Sequence, residues 1–271
     1  MNASPQFSEP VFPLDIEALL THAESRPPLR AEASALFLEL ASNLFKDEGP
    51  RYELHASDAG ACSRALWSRV NGMEQLGDDL KTQLTRFDGG HLFGAWQAAL
   101  VSVAATDLYP DVWCECEVPI DWHGTIGRAD LVISLVKDDS PNRFAQQVVD
   151  FKLTWFSKAE PKKYQVQQVV TYAAAVNAPY ATVFTIAPGA YAGKPWTHQE
   201  NVLTAEKLVD VIAEIDWLKL AVESESRPEG NPREAWRCKT CSCAGCERNE
   251  RLSDVVRAGL APELVSVFDD D

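Results

Sequence analysis

Asp150 and Lys152 stand one residue apart near the end of the apolar run 146–153, and Asp130 closes the segment Gly127-Arg-Ala-Asp130 twenty positions upstream. If 146–153 is a strand, alternation puts Gln146, Val148, Asp150 and Lys152 on one face and Val149, Phe151 and Leu153 on the other. An isolated Asp-x-Lys is ordinarily a solvated ion pair contributing under about 1 kcal/mol. Twenty positions suit a short hairpin, however, and pairing the two strands would bring Asp130 beside Asp150. Two carboxylates with an ammonium nearby make a hard oxygen site for Mg²⁺ or Mn²⁺ and not a zinc cage. Such an ion activates water and offsets charge on a phosphoryl oxygen, while Lys152 orients the nucleophile or neutralises the developing charge.

A second set follows in Tyr164-Gln-Val-Gln-Gln-Val-Val-Thr-Tyr172. On a helix, Gln165, Gln168 and Tyr172 share one face at spacings of three and four. That face is either an ordinary water-facing stripe or a set of groups able to hold a phosphate backbone and stack on a base. Lys152, Lys158, Lys162 and Lys163 are interleaved with Trp155, Phe156 and Tyr164. Basic groups beside aromatic faces suit a single-strand groove, where stacking contributes roughly 1–3 kcal/mol per base; the plain alternative is a solvated loop.

The third set is sulfur. Cys238-x2-Cys241-x-Cys243-x2-Cys246 places four of the seven cysteines in nine residues, which reads as metal and not as a secreted disulfide framework. A structural zinc knuckle would use all four locally, but the single residue between Cys241 and Cys243 crowds them around one tetrahedral ion. Cys62 lies far upstream, and a lone helical cysteine is usually a small buried hydrophobe. Cys114 and Cys116, on one face of a strand, read as core residues.

The elements that must position these groups can be read from period. Leu36, Phe37, Leu40 and Leu44 recur at helical spacing over 31–46. Ser57 is placed to cap a helix over 58–70, and a further helical region spans 78–105 despite Gly89, Gly90 and Gly94. Alternation at 112–119 predicts a half-buried strand, followed by strands at 126–136 and 146–153 around a polar turn at 137–143. A helix over 163–176, a strand at 181–187 and a helix over 204–222 complete the order. The expected fold is α/β, a small mixed sheet flanked by helices. Residues 1–30, rich in proline, are expected to form an extended arm. Residues 31–106 form an N-terminal helical region, 107–222 the core, and 223–271 a charged linker, the cysteine cluster and an acidic tail.

Composition sets the outer bounds. The chain has 271 residues, 46% hydrophobic and 24% charged, enough for one large or two small domains. No apolar run reaches the roughly 18–20 residues that span a bilayer, and the N-terminus lacks a signal-peptide pattern; a soluble intracellular protein is expected. The net charge of −15 argues on its face against a nucleic-acid partner. Exposed charges beyond about 8–10 Å are largely screened, though, so the local field around Lys152–Lys163 outweighs the total. The acidic remainder, including residues 269–271, would repel DNA elsewhere.

The ordered set Gly127-x-x-Asp130, Asp150-x-Lys152 and Gln168-x-x-x-Tyr172 resembles the PD-(D/E)xK nuclease superfamily, the last element being the mark of its RecB-like branch. The resemblance covers roughly residues 54–246 and extends to the CRISPR-associated iron–sulfur exonucleases and their phage-encoded relatives. It implies a nuclease core in 107–222 and a metal-dependent DNA exonuclease acting on single-stranded or frayed ends. Asp130, Asp150 and the backbone carbonyl of Phe151 would hold Mg²⁺ or Mn²⁺. Lys152 would assist the attacking water, and Gln168 and Tyr172 would position the scissile strand. The branch usually adds a metal-binding histidine from a helix ahead of the sheet; here Gly94 stands at that position, with His91 one turn earlier. It also implies a 4Fe–4S cluster on Cys62, Cys238, Cys241 and Cys246, with Cys243 spare, stapling the chain ends together. Two other readings stay open: a weakly active or inactive DNA-binding subunit of a recombination or CRISPR adaptation complex, and a zinc-stapled protein-interaction module. The expected setting is the cytoplasm of a bacterial or phage-infected cell, with DNA as partner, no membrane, and self-association or a recombination partner left open.

Overall fold

In the computed structural model, residues 10–44, 53–59, 61–72, 80–136, 143–154, 160–186, 196–201, 205–226 and 228 are described. Strands β1 (Val112–Trp122) and β2 (Thr125–Val136) form a hairpin closed by Trp122↔Thr125. Its two-residue turn puts His123 at φ 49° and Gly124 at φ 69°. Left-handed backbone at both central positions is what a tight hairpin turn needs to match strand twist. β2 pairs antiparallel with β3 (Arg143–Leu153). The helix α5 (Lys163–Ala175) then crosses over, so that β4 (Tyr180–Ile186) lies parallel to β3, and β5 (Trp196–Asn201) returns antiparallel at the edge. The sheet order is β1-β2-β3-β4-β5.

Alternation on the central strands gives the sheet two apolar faces. Leu131, Ile133, Val149 and Phe151 pack on one side against α1 (Ile16–Ser25), α2 (Pro27–Leu44) and α4 (Leu80–Leu108). Val148, Ala181 and Val183 face the other way, toward α5 and α6 (Ala205–Val222). α4 lies close on the sheet because Ala95, Ala98, Ala99, Ala104 and Ala105 are fully buried and present no bulk. Asp150 and Lys152 follow Val148 at two-residue intervals and so lie on the α5 side.

Several expectations need correction. Residues 1–30 are not uniformly an extended arm: Asp15 caps α1 by accepting from Ala18 N at 3.1 Å, and Leu14, Ile16, Leu19, Leu20 and Ala23 are buried. The prolines mislead because Pro27 and Pro28 sit in the first turn of α2, where no N–H is needed. The buried Gln147 anchors this segment, accepting from Leu14 N at 2.8 Å and donating to Thr182 Oγ1 at 2.8 Å. The helix expected over 58–70 is instead a 3₁₀ turn, Ala56–Asp58, followed by α3 (Ser63–Val70), with Cys62 as its N-cap residue. The glycines do not interrupt α4, and β5 was not anticipated. Cys238, Cys241, Cys243, Cys246, Lys158, Trp155, Phe156 and residues 269–271 lie outside the described residues. No helix among the described residues is long and apolar enough to cross a membrane.

Candidate active site

The β2–β3 register pairs Leu131 with Val149, which makes Asp130 and Asp150 neighbours across the ladder. Asp130 Oδ2 accepts a 2.7 Å hydrogen bond from Phe151 N, locking its carboxylate against β3. Asp150 is 1% exposed. Its Oδ1 accepts from Lys152 Nζ at 3.1 Å; Oδ2 is nearer, 2.8 Å from the same ammonium, but accepts no well-directed hydrogen bond. The sequence-derived trio of two acids and an amine is therefore assembled at one point of the sheet.

The electrostatics of this cluster are unbalanced. Burial, followed by the charge of Asp150, holds the Asp130 carboxyl well above the ordinary carboxylate range, against the pull of Lys152. Burial likewise raises Asp150, with Lys152 opposing. For Lys152 burial works downward, but the two aspartates outweigh it and the ammonium is held above its usual range. Two buried carboxylates facing one ammonium leave excess negative charge, which a divalent cation would relieve.

α4 supplies the opposite wall. A β-carbon built on Gly94 would lie 3.4 Å from Asp130 Oδ2 and 3.9 Å from the Phe151 carbonyl oxygen. The missing side chain thus leaves room beside two of the proposed donors. Two carboxylates, a backbone carbonyl and adjacent space for water are a donor set of the kind Mg²⁺ and Mn²⁺ take, and Asp150 Oδ2 is a buried acceptor without a directed donor. His91 is partly exposed one turn earlier on α4. Among the described residues, no three His, Cys, Asp or Glu side chains form a group that could hold a metal.

From α5, Gln168 and Tyr172 are both buried, and Gln168 Nε2 donates to Tyr172 Oη at 3.0 Å. Burial, then the charge of Asp150, pushes the Tyr172 phenol up to about 12, so it faces the cluster as a neutral hydroxyl. Gln165, expected on the same functional face, accepts from Lys162 N at 2.8 Å and caps the helix. Lys162 and Lys163 are exposed at that helix start.

Glu117 was not anticipated. Plain strand alternation would place it with Trp113 and Glu115, opposite Cys114 and Cys116, but its backbone is left-handed at φ 55° in mid-strand. It lies opposite Asp130, between the pairs Cys116↔Leu131 and Val118↔Ala129, and its charge adds to the upward shift of Asp130. Burial raises the Glu117 carboxyl while Arg128, 3.6 Å away, lowers it. No sequence signal announces such a backbone reversal.

Cys62 is a buried free thiol. The chain leaving α6 folds back over α3, where Trp67 Nε1 donates to Ser224 O at 2.8 Å and Arg64 Nε to Pro228 O at 3.1 Å.

No protein-family model matches the chain, and no curated protein matches it. Among solved structures, that of SSO0001 is 14% identical, with a TM-score of 0.47 over 77% of this chain and 92% of that one. An alkaline exonuclease (LHK-Exo) from Laribacter hongkongensis is also 14% identical, with a TM-score of 0.34 over 64% of this chain and 91% of the other. The functional reading rests on the site itself.

Proposed function

We propose that the protein is a metal-dependent deoxyribonuclease that hydrolyses phosphodiester bonds, acting as an exonuclease on single-stranded or frayed DNA ends. The observation that supports this reading is the 2.7 Å bond from Phe151 N to Asp130 Oδ2, which ties the Asp130 carboxylate to the strand that carries Asp150 and Lys152. Asp130, Asp150 and the Phe151 carbonyl would hold Mg²⁺ or Mn²⁺, which when bound supplies Lewis acidity toward water and a phosphoryl oxygen. Lys152, tethered to Asp150, presents an ammonium that orients the attacking water and offsets charge on the phosphate in the transition state. Tyr172 and Gln168 brace that face from α5 and position the scissile strand. Lys158, Lys162 and Lys163 would track the strand's backbone.

The proposed 4Fe–4S cluster, on Cys62 with Cys238, Cys241 and Cys246, draws support from the return of the chain onto α3. Pro228 is bonded there only ten residues before Cys238, within reach of an extended chain. The cluster would act as a structural staple. A zinc knuckle is the competing assignment, and a brown preparation that bleaches with dithionite decides for iron.

The second reading, a DNA-binding subunit of weak activity, is favoured by one observation: Gly94 stands where a third side-chain donor would be expected. Digestion of 5′- and 3′-labelled single and double strands with Mg²⁺ and Mn²⁺ tests both. Progressive shortening from an end supports the exonuclease; retention of intact label with both ions favours the binding subunit.

A further inference from the structure

Beside the acidic cluster, α2 and the first hairpin flank an open cleft of about 400 Å³, within the range of pockets that hold small ligands. Leu40 and Pro119 provide apolar surface, Asn43 a carboxamide, and Arg128 a guanidinium, with Glu39 and Glu117 as the acids. We propose that this cleft is a nucleotide subsite, in which Arg128 grips the phosphate next to the scissile one. The inference rests on the nuclease reading and adds a specificity element to it.

Arg128 precedes Asp130 by two residues on β2, which along a strand is about 7 Å on the same face. That is about the interval between neighbouring phosphates of an extended strand. A phosphate held at the Asp130–Asp150 point would therefore place the next one within reach of the guanidinium. The side chain is 48% exposed, and its guanidinium lies 3.6 Å from the Glu117 carboxylate. A guanidinium carries five N–H donors in a planar fork suited to phosphate, so this ion pair leaves most of them for a ligand. Glu117, whose backbone is left-handed at φ 55°, pairs with Arg128. Strained backbone of this kind persists where surrounding structure maintains it, and it clusters at functional sites. Glu117 thus aims Arg128 and neutralises it in the resting protein. Leu40 and Pro119 offer the sugar or base an apolar surface.

The test is the salt dependence of KM for digestion of a labelled oligo-dT strand in Mn²⁺, for the wild type, Arg128→Gln and Arg128→Lys. Loss of one phosphate contact on a single strand lowers the slope of log KM against log salt by about 0.7. Arg128→Gln is expected to raise KM several-fold at low salt, lower the slope by that amount and leave kcat within about twofold. Arg128→Lys is expected to keep the wild-type slope. An unchanged slope in Arg128→Gln, or a loss confined to kcat, overturns the subsite while leaving the nuclease intact. No digestion by the wild type overturns the nuclease reading, and the subsite with it.

Discussion

The ring of Tyr172 lies so close on the backbone of Gly127 that a β-carbon there would stand 2.6 Å from Cε1 and 2.8 Å from the hydroxyl oxygen. The glycine of Gly127-x-x-Asp130 is thus a seat for the tyrosine of α5, and it couples the helix to the strand bearing Asp130. Gly127→Ala must displace the ring or the strand. Overpacking of this kind typically costs about 1–3 kcal/mol, so the variant should be destabilised by that amount, melt at a lower temperature and lose most DNA cleavage. Wild-type melting and turnover would mean that the seat is not needed.

Gly94 makes the opposite prediction for stability. An alanine there fits, its methyl 3.4 Å from Asp130 Oδ2, and alanine gains roughly 0.5–1 kcal/mol over glycine inside a helix. The same methyl fills space beside the proposed metal donors. Gly94→Ala should therefore raise the melting temperature while weakening Mn²⁺ activation, read from the Mn²⁺ concentration giving half-maximal cleavage. An unchanged half-maximal concentration would show that this space is not used.

How much of the site was legible follows from which signals are local. Asp130, Asp150 and Lys152 were found because strand period and a hairpin-length spacing are enough to predict adjacency, and the β2–β3 register delivers it. Glu117 was hidden because alternation assigns it to the face opposite Cys114 and Cys116, and a left-handed residue in mid-strand has no sequence mark. The helix α1 was hidden by prolines that belong to the start of α2, although Ile16, Leu19, Leu20 and Ala23 carry helical spacing. β5, Trp-Thr-His-Gln-Glu-Asn, is too polar to stand out; its place is set by pairing with β4. Gln165 showed the right face for a ligand contact, but a glutamine at the third helical position also suits a cap.

The strand thiols give a pH prediction. Burial, above all, pushes Cys114 and Cys116 up to about 12, whereas an unfolded thiol ionises near about 8.5. The folded state then holds protons that the unfolded state releases, so stability falls as pH rises from about 8.5 toward 12. Iodoacetamide, which reacts with thiolate, should leave both residues unlabelled in native protein at pH 8 and label them in urea. Rapid native labelling at pH 8 would contradict the raised ionisation of these two thiols.

The proposed staple predicts that Cys62→Ala loses iron and soluble yield together, because ligand binding there is folding free energy. Iron content by metal analysis and melting by circular dichroism check it. Wild-type values for both would refute Cys62 as a ligand.

The central claim is that neighbouring strands bring Asp130 and Asp150 together to hold one divalent ion. Its most direct measurement is Mn²⁺ binding by electron paramagnetic resonance in the uncut, DNA-free protein, comparing wild type with Asp150→Asn. The account predicts a bound Mn²⁺ in the wild type that is lost in a folded Asp150→Asn variant. Equal Mn²⁺ uptake by both proteins would contradict it.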